Sequence, residues 1–204
     1  MTFVLGLTGS IGMGKSATAG LFRAEGVAVH DADLTVHALY RGRAAPLIEA
    51  AFPGATTHGV VDRTRLGAAV LGAPEALRRL EAIVHPLVRE EEEVFLATAA
   101  DRRASLVVLD IPLLFETGGD ARCDAVVVAS APAQVQAARV LARPGMDQEK
   151  FAAILTKQMP DREKRRRAHF LVDTGRGFPA AEAEVRGILR ALAGRPGRLV
   201  KARR

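Results

Sequence analysis

The chain has one cysteine, Cys123, in 204 residues. An internal disulfide is therefore impossible, and a reducing compartment is expected. No apolar stretch approaches the ~20 residues that span a bilayer, so no membrane association is expected. The N-terminus has neither the basic flank nor the long apolar run of a secretory signal. Internal repeats and low-complexity core segments are missing, as are an Asn-Lys-x-Asp guanine-reading element and a helicase motif, which argues against a nucleotide switch or a nucleic-acid motor. Acidic residues are missing from the last ten positions, where Arg195, Arg198, Lys201, Arg203 and Arg204 stand. Removing those five charges from the formal net charge of +6 leaves +1 on residues 1–194. Specific nucleic-acid binding is not expected from so neutral a body, and Pro196 with Gly197 makes 195–204 read as a basic flexible tail. A cytoplasmic enzyme without an obligate protein partner is the expectation. The length suffices for one α/β domain with subdomain insertions, burying about 70% of its unfolded surface.

What is present begins with Gly9-Ser10-Ile11-Gly12-Met13-Gly14-Lys15-Ser16, which spells G-x-x-x-x-G-K-[ST], a phosphate-cradling loop. The apolar run Phe3-Val4-Leu5-Gly6-Leu7 precedes it. A helical pattern with Ala17, Leu21 and Ala24 on one face follows, with Gly26 as its stop; this is the strand, loop, helix setting the motif requires. Gly9, Gly12 and Gly14 are expected to take positive φ and bring successive N–H groups toward an anion. The new helix adds the positive end of its dipole. Lys15 would reach the β and γ phosphates of a nucleoside triphosphate, and the Ser16 hydroxyl would enter the shell of a bridging Mg²⁺. A dinucleotide-binding loop is the competitor, because Asp31 and Asp33 lie about 20 residues on, but the glycine spacing does not fit G-x-G-x-x-G.

Short apolar runs recur at Phe3 to Thr8, Val27 to His30, Leu106 to Asp110, Ala125 to Ala129 and Phe170 to Asp173. Their continuous Val/Leu character predicts strands buried on both faces, hence a five-stranded parallel sheet with crossover helices. Two stretches break that rhythm. About 75 residues separate the second and third runs, far more than a crossover needs, and they read as helical. Asp62 is placed to cap one helix and Pro74 to open the next, while Pro86 should kink or restart it. Leu87, Val88, Val94 and Phe95 form its apolar side, with Glu90 to Glu93 as a solvated face. The second interruption, from Arg143 to Arg167, predicts a helix capped by Asp147 and a short basic segment from Pro160 carrying Arg162, Lys164, Arg165, Arg166 and Arg167, in the manner of a kinase lid.

Ligands of open parallel sheets bind beyond the carboxyl ends of the strands. Asp31 and Asp33 stand there. Each can cap the helical pattern of Leu34, Ala38 and Leu39 or orient an acceptor hydroxyl, and the local spacing leaves both roles open. Asp110, ending the third run, stands where a carboxylate holds Mg²⁺ through water or where a structural role is equally apt. Arg139 and Arg143, four apart at a helix end, can share a face toward transferring phosphates, or be plain surface arginines.

The loop together with Asp31-Ala32-Asp33, His85-Pro86-Leu87 and Ile111-Pro112-Leu113-Leu114-Phe115-Glu116 resembles dephospho-CoA kinase. The likeness extends through Arg139, Arg143, Gln158 and Val172-Asp173-Thr174-Gly175, covering nearly the whole chain except the basic tail. It implies ATP-dependent phosphorylation of the ribose 3′-hydroxyl of dephospho-CoA, giving coenzyme A and ADP, with Mg²⁺. It also implies an α/β P-loop kinase-like three-layer fold: a nucleotide core (1–33, 104–142 and 168–194), a helical acceptor subdomain (34–103) and a lid (143–167). On this resemblance Gly12, Met13, Gly14, Lys15, Ser16 and Ala17 hold the nucleotide and Asp33 activates the acceptor. Arg139 and Arg143 take the phosphate role, and His85 falls in the acceptor subdomain with substrate contact and a structural role both open. Three departures stand out: Ala17 where Thr is usual, Pro144 where an acid is common, and His169 where Asp is usual. The alternative is a nucleoside monophosphate kinase or another small-molecule kinase with this core.

Overall fold

The structure, a computed structural model, describes residues 1–198. Its chain falls into two compact units: Met1–His30 with the chain from Leu96 onward, and Asp31–Phe95. The first carries a sheet formed by β1 (Phe3–Thr8), β2 (Ala28–Asp31), β5 (Leu106–Asp110), β6 (Ala125–Ser130) and β7 (Phe170–Asp173), in the order β2-β5-β1-β6-β7. β1 lies parallel between β5 and β6, with Val4 opposite Val107 and Leu5 opposite Ala125. All six residues of β1 and of β6 are buried, which is why their runs are continuously apolar rather than alternating. All five expected strands are present.

Helix α1 (Lys15–Ala24) starts directly from the phosphate loop and stops at Gly26, whose φ is 80°. There the N–H of Val27 reaches back to the Phe22 carbonyl, closing the last turn. The C-terminal α9 (Phe178–Leu192) buries Ala181, Val185, Ile188 and Leu192 at helical spacing into the cluster that holds Leu21 and Phe22 of α1. Between them come α6 (Ala133–Leu141), α7 (Gln148–Leu155) and α8 (Asp161–Arg167). Asp147 caps α7 by accepting from the Lys150 N–H at 2.8 Å.

The unit Asp31–Phe95 contains α2 (Ala32–Tyr40), α3 (Ala44–Ala51), α4 (Arg63–Val70) and most of α5 (Pro74–Asp101) around Leu39, Ile48, Phe52, Leu66 and Val84. Asp62 caps α4 through the N–H groups of Thr64 and Arg65. Three features differ from expectation. A two-stranded hairpin, β3 (Thr56–Thr57) and β4 (Val60–Val61), turns on His58 and Gly59, both at positive φ, as a two-residue loop of this kind requires. α5 runs through Pro86 without restarting; Ala82, whose carbonyl loses its intrahelical donor to the proline, is an exposed residue. Finally, Glu92 is buried and Val94 is 62% exposed, because the inward stripe follows Val84, Val88 and Glu92 in steps of four. Glu90, Glu91 and Glu93 stay on the solvent side, and the first two pair with Arg43.

The expected flexible tail begins as a docked segment. The N–H of Gly197 donates to the Met1 carbonyl at 3.2 Å. Arg198 donates its backbone N–H to Asp124 Oδ1 at 2.8 Å. Asp124 is the anchor because its other oxygen already holds the Val4 N–H. The remaining tail, 199–204, lies outside the described residues. No described helix is long and apolar enough to cross a membrane.

Candidate active site

The phosphate loop leaves β1 at Thr8, whose hydroxyl donates to the Pro112 carbonyl at 2.9 Å. Gly12 and Gly14 have φ of 75° and 84°. Gly9 does not share that conformation; it is glycine because a Cβ there would stand 2.7 Å from the Ala129 carbonyl oxygen. The loop is gripped from outside by side chains of α6, of the segment after α7 and of the turn after β7. Gln136 Nε2 donates to the Ile11 carbonyl at 2.8 Å, and Gln158 Oε1 accepts the Ile11 N–H at 3.0 Å. The Thr174 hydroxyl donates to the Met13 carbonyl at 2.9 Å. Arg139 Nη1 donates to Thr174 Oγ1 at 2.9 Å and faces the Gly12 carbonyl at 3.4 Å, while Nη2 donates to the Thr174 carbonyl at 2.8 Å. The Met13 thioether accepts the Ala131 N–H at 3.1 Å.

Lys15 opens α1 and its Nζ lies 2.7 Å from Asp110 Oδ1, with the carboxylate side chain only 1% exposed. The sequence placed these two residues at the ends of separate elements; β1–β5 pairing brings them together, with Leu7 opposite Asp110. Such a buried pair is costly to break on one side, so Lys15 is held ready at the mouth of the loop. Ser16 and Ala17 are exposed in the first turn of α1, and the Ser16 hydroxyl has no hydrogen-bond partner among the described residues. A free hydroxyl next in sequence to Lys15, whose ammonium meets the Asp110 carboxylate, suits the hard-oxygen preference of Mg²⁺.

A second polar cluster, which the sequence reading missed, joins the loop after β5 to the lid-like segment. Lys164, expected on a basic solvated surface, is fully buried and pairs with Glu116 Oε1 at 2.8 Å. The same oxygen accepts the Met159 N–H at 2.8 Å. Burial pushes the Glu116 carboxyl up, but Lys164 and Met159 outweigh it and hold the group below its ordinary value. Lys164 sits at i+3 from Asp161, whose Oδ2 accepts the Ser130 hydroxyl at 2.8 Å.

The two arginines do not share a helix face. Arg139 lies in the last turn of α6, whereas Arg143 comes after its C-cap Ala142, since Pro144 and Gly145 cannot continue the helix. Arg143 is exposed with no side-chain partner among the described residues, while Arg139 is spent on Thr174 and the loop. In the other unit, Asp31 takes the cap of α2, accepting the Leu34 N–H at 3.0 Å. Asp33 is exposed in the first turn with no partner among the described residues. His85 is exposed midway along α5.

The family model described as dephospho-CoA kinase matches residues 3–178. A dephospho-CoA kinase of Mesorhizobium japonicum is 63% identical over 194 residues, covering 95% of this chain and 98% of that protein. A solved structure from Thermus thermophilus is 36% identical with a TM-score of 0.83, covering 95% of this chain and 99% of that one. The dephospho-CoA kinase of Campylobacter jejuni, 22% identical, shares the fold with a TM-score of 0.66 over 94% of this chain and 97% of that one. With the loop, the Lys15–Asp110 pair and matches spanning nearly its whole length, the chain belongs to the dephospho-CoA kinase family, which catalyses the final step of coenzyme A synthesis.

Proposed function

We propose that the chain transfers the γ-phosphoryl group of ATP to the ribose 3′-hydroxyl of dephospho-CoA, in the cytoplasm. The observation that carries the donor half is Lys15 held against Asp110 at the start of α1, beside a loop with two glycines at positive φ. Family membership carries the acceptor. Gly9 to Ala17 hold the triphosphate through backbone N–H groups. Lys15 neutralises charge on the β and γ oxygens as it develops. Ser16, with Asp110 through water, would hold Mg²⁺, which when bound supplies further charge neutralisation between those oxygens.

Asp33 is the acceptor-orienting carboxylate in this reading. Asp31 already serves as the cap, so the Asp33 oxygens are left for a substrate. The ribose oxygen attacks the γ-phosphorus, the bond to the β-bridging oxygen breaks, ADP leaves, and the hydroxyl proton passes to Asp33. Arg143 is the arm that answers phosphate charge. The segment 143–167 acts as lid, and 34–103, with His85, takes up the acceptor.

A coupled ADP-release assay comparing dephospho-CoA, AMP, CMP and no acceptor tests this. Release driven by dephospho-CoA is expected; preference for AMP overturns it in favour of a nucleoside monophosphate kinase. Asp33→Asn should cut kcat by about 10²- to 10⁴-fold with ADP affinity and melting temperature unchanged. A lowered melting temperature with unaltered kcat would reduce Asp33 to a helix-terminal residue.

A further inference from the structure

We infer that Gln136 and Thr174, with Arg139 acting through Thr174, are positioning residues that aim the N–H groups of the phosphate loop at the nucleotide. The inference rests on the donor half of the proposed function only. A peptide unit is planar and trans, so its C=O and N–H point in opposite directions. Fixing the carbonyl from one side therefore directs the N–H to the other. The Ile11 carbonyl is held by Gln136 Nε2 at 2.8 Å, and the N–H of that same peptide belongs to Gly12. The Met13 carbonyl is held by the Thr174 hydroxyl at 2.9 Å, and the N–H of that peptide belongs to Gly14. Neither of these glycine N–H groups has an acceptor among the described residues. By contrast, the intervening Met13 N–H is used inside the loop, on the Ser10 carbonyl at 3.1 Å.

Glycine is where such steering is needed, because Gly12 and Gly14 sit at positive φ with no side chain of their own to hold them. The space a Cβ would need at Gly14 is taken by Thr174, whose Cγ2 and Oγ1 would each lie 2.8 Å away. At Gly12 the same space is closed by Val140 Cγ2 and the Gln136 carbonyl. Gln136 and Thr174 are 6% and 7% exposed, so water does not compete for the carbonyls they hold. The Thr174 hydroxyl has one proton. Of the two carbonyls within its reach, Met13 at 2.9 Å and Ser130 at 3.3 Å, the nearer takes it, while Arg139 Nη1, donating to Oγ1 at 2.9 Å, holds the hydroxyl oxygen in place. Gln158 completes the grip by taking the Ile11 N–H, so the peptides on both sides of Ile11 are fixed by side-chain amides. Each of these polar atoms is engaged on a backbone group of the loop or on Thr174, so their action passes through the backbone.

The test uses the full chain and reads nucleotide binding apart from transfer. Calorimetric affinities for ADP and for inorganic pyrophosphate are measured without acceptor, alongside melting temperature and steady-state kinetics. Thr174→Val keeps the shape and removes the hydroxyl. It should weaken both ligands by roughly 3- to 10-fold, the scale of one lost hydrogen bond, and raise KM for ATP while KM for the acceptor stays fixed. Thr174→Ser should restore binding. Gln136→Met should weaken ADP similarly and serves where Thr174→Val does not fold. Wild-type ADP and pyrophosphate affinities in the folded Thr174→Val or Gln136→Met variant overturn the inference. If dephospho-CoA proves not to be an acceptor while these variants still lose ADP, only the acceptor reading fails.

Discussion

Single residues at the starts of strands pin the sheet by the same device twice. Asp124, just before β6, accepts the Val4 N–H of β1 on Oδ2 at 2.8 Å. His169, just before β7, accepts the Val126 N–H of β6 on Nδ1 at 3.2 Å, and its own N–H donates to the Val126 carbonyl at 2.9 Å. The family resemblance leads one to expect Asp at this position, and from residue type His169 reads as a lost charge. Its ring nitrogen supplies the lone pair a carboxylate would supply. His169→Asp should therefore leave thermal stability nearly unchanged, whereas His169→Leu should lose about 1 kcal/mol in denaturant unfolding. Equal losses in the two variants would deny the acceptor role. Residue identity alone was enough to nominate Lys15, Asp110 and the Asp31/Asp33 pair. It was not enough to divide cap from free carboxylate, because that division depends on where one N–H, that of Leu34, ends up.

Elements were legible where one local signal dominated. Buried strands declared themselves as unbroken apolar runs, and Asp62 and Asp147 marked helix starts because a short carboxylate is what orphan N–H groups require. Signals misled where a residue type opposed its spacing. Pro86 argued for a break, yet burial of Val84, with Leu80, Leu87 and Val88 packed on the same core, sustains α5 past the missing hydrogen bond. Glu92 looked solvated as one of four glutamates, yet its place in the stripe of Val84 and Val88 turns it inward. The His58-Gly59 turn carried too little strand on either side to be seen. Among the contacts between elements in the nucleotide core, one joins α1 and α9, where Phe22 is buried with Val185 and Ile188. Phe22→Ala should cost about 3–5 kcal/mol, read as a lower melting temperature. Because Phe22 lies a full two turns from Lys15, ADP affinity below that temperature should hold.

At the scale of the molecule, the nucleotide core is closed by contacts between distant parts of the chain that no local pattern announces. Arg198 returns to Asp124, and Lys164 and Met159 both converge on Glu116 Oε1. Lys164 also faces the Pro112 carbonyl at 3.4 Å, the oxygen that Thr8 holds from the phosphate loop side. The lid-like segment is thereby tied to the turn that follows Asp110. This tie is pH-dependent, and its sign follows from the direction of the Glu116 shift. Burial raises that carboxyl, but the Lys164 and Met159 hydrogen bonds prevail and the folded value lies below the ordinary one. The unfolded chain therefore binds the proton more readily, so the stabilisation is fully present above the ordinary carboxylate range. It is lost as pH falls through the folded value. Glu116→Gln should lower stability at neutral pH, by about 3–5 kcal/mol if the Lys164 ammonium stays buried without its counter-charge. The same variant should flatten the acid limb of the curve. Urea midpoints measured stepwise from pH 7 to the acid end check both, and parallel curves for the variant and the parent would show that the Glu116 carboxyl does not carry the tie.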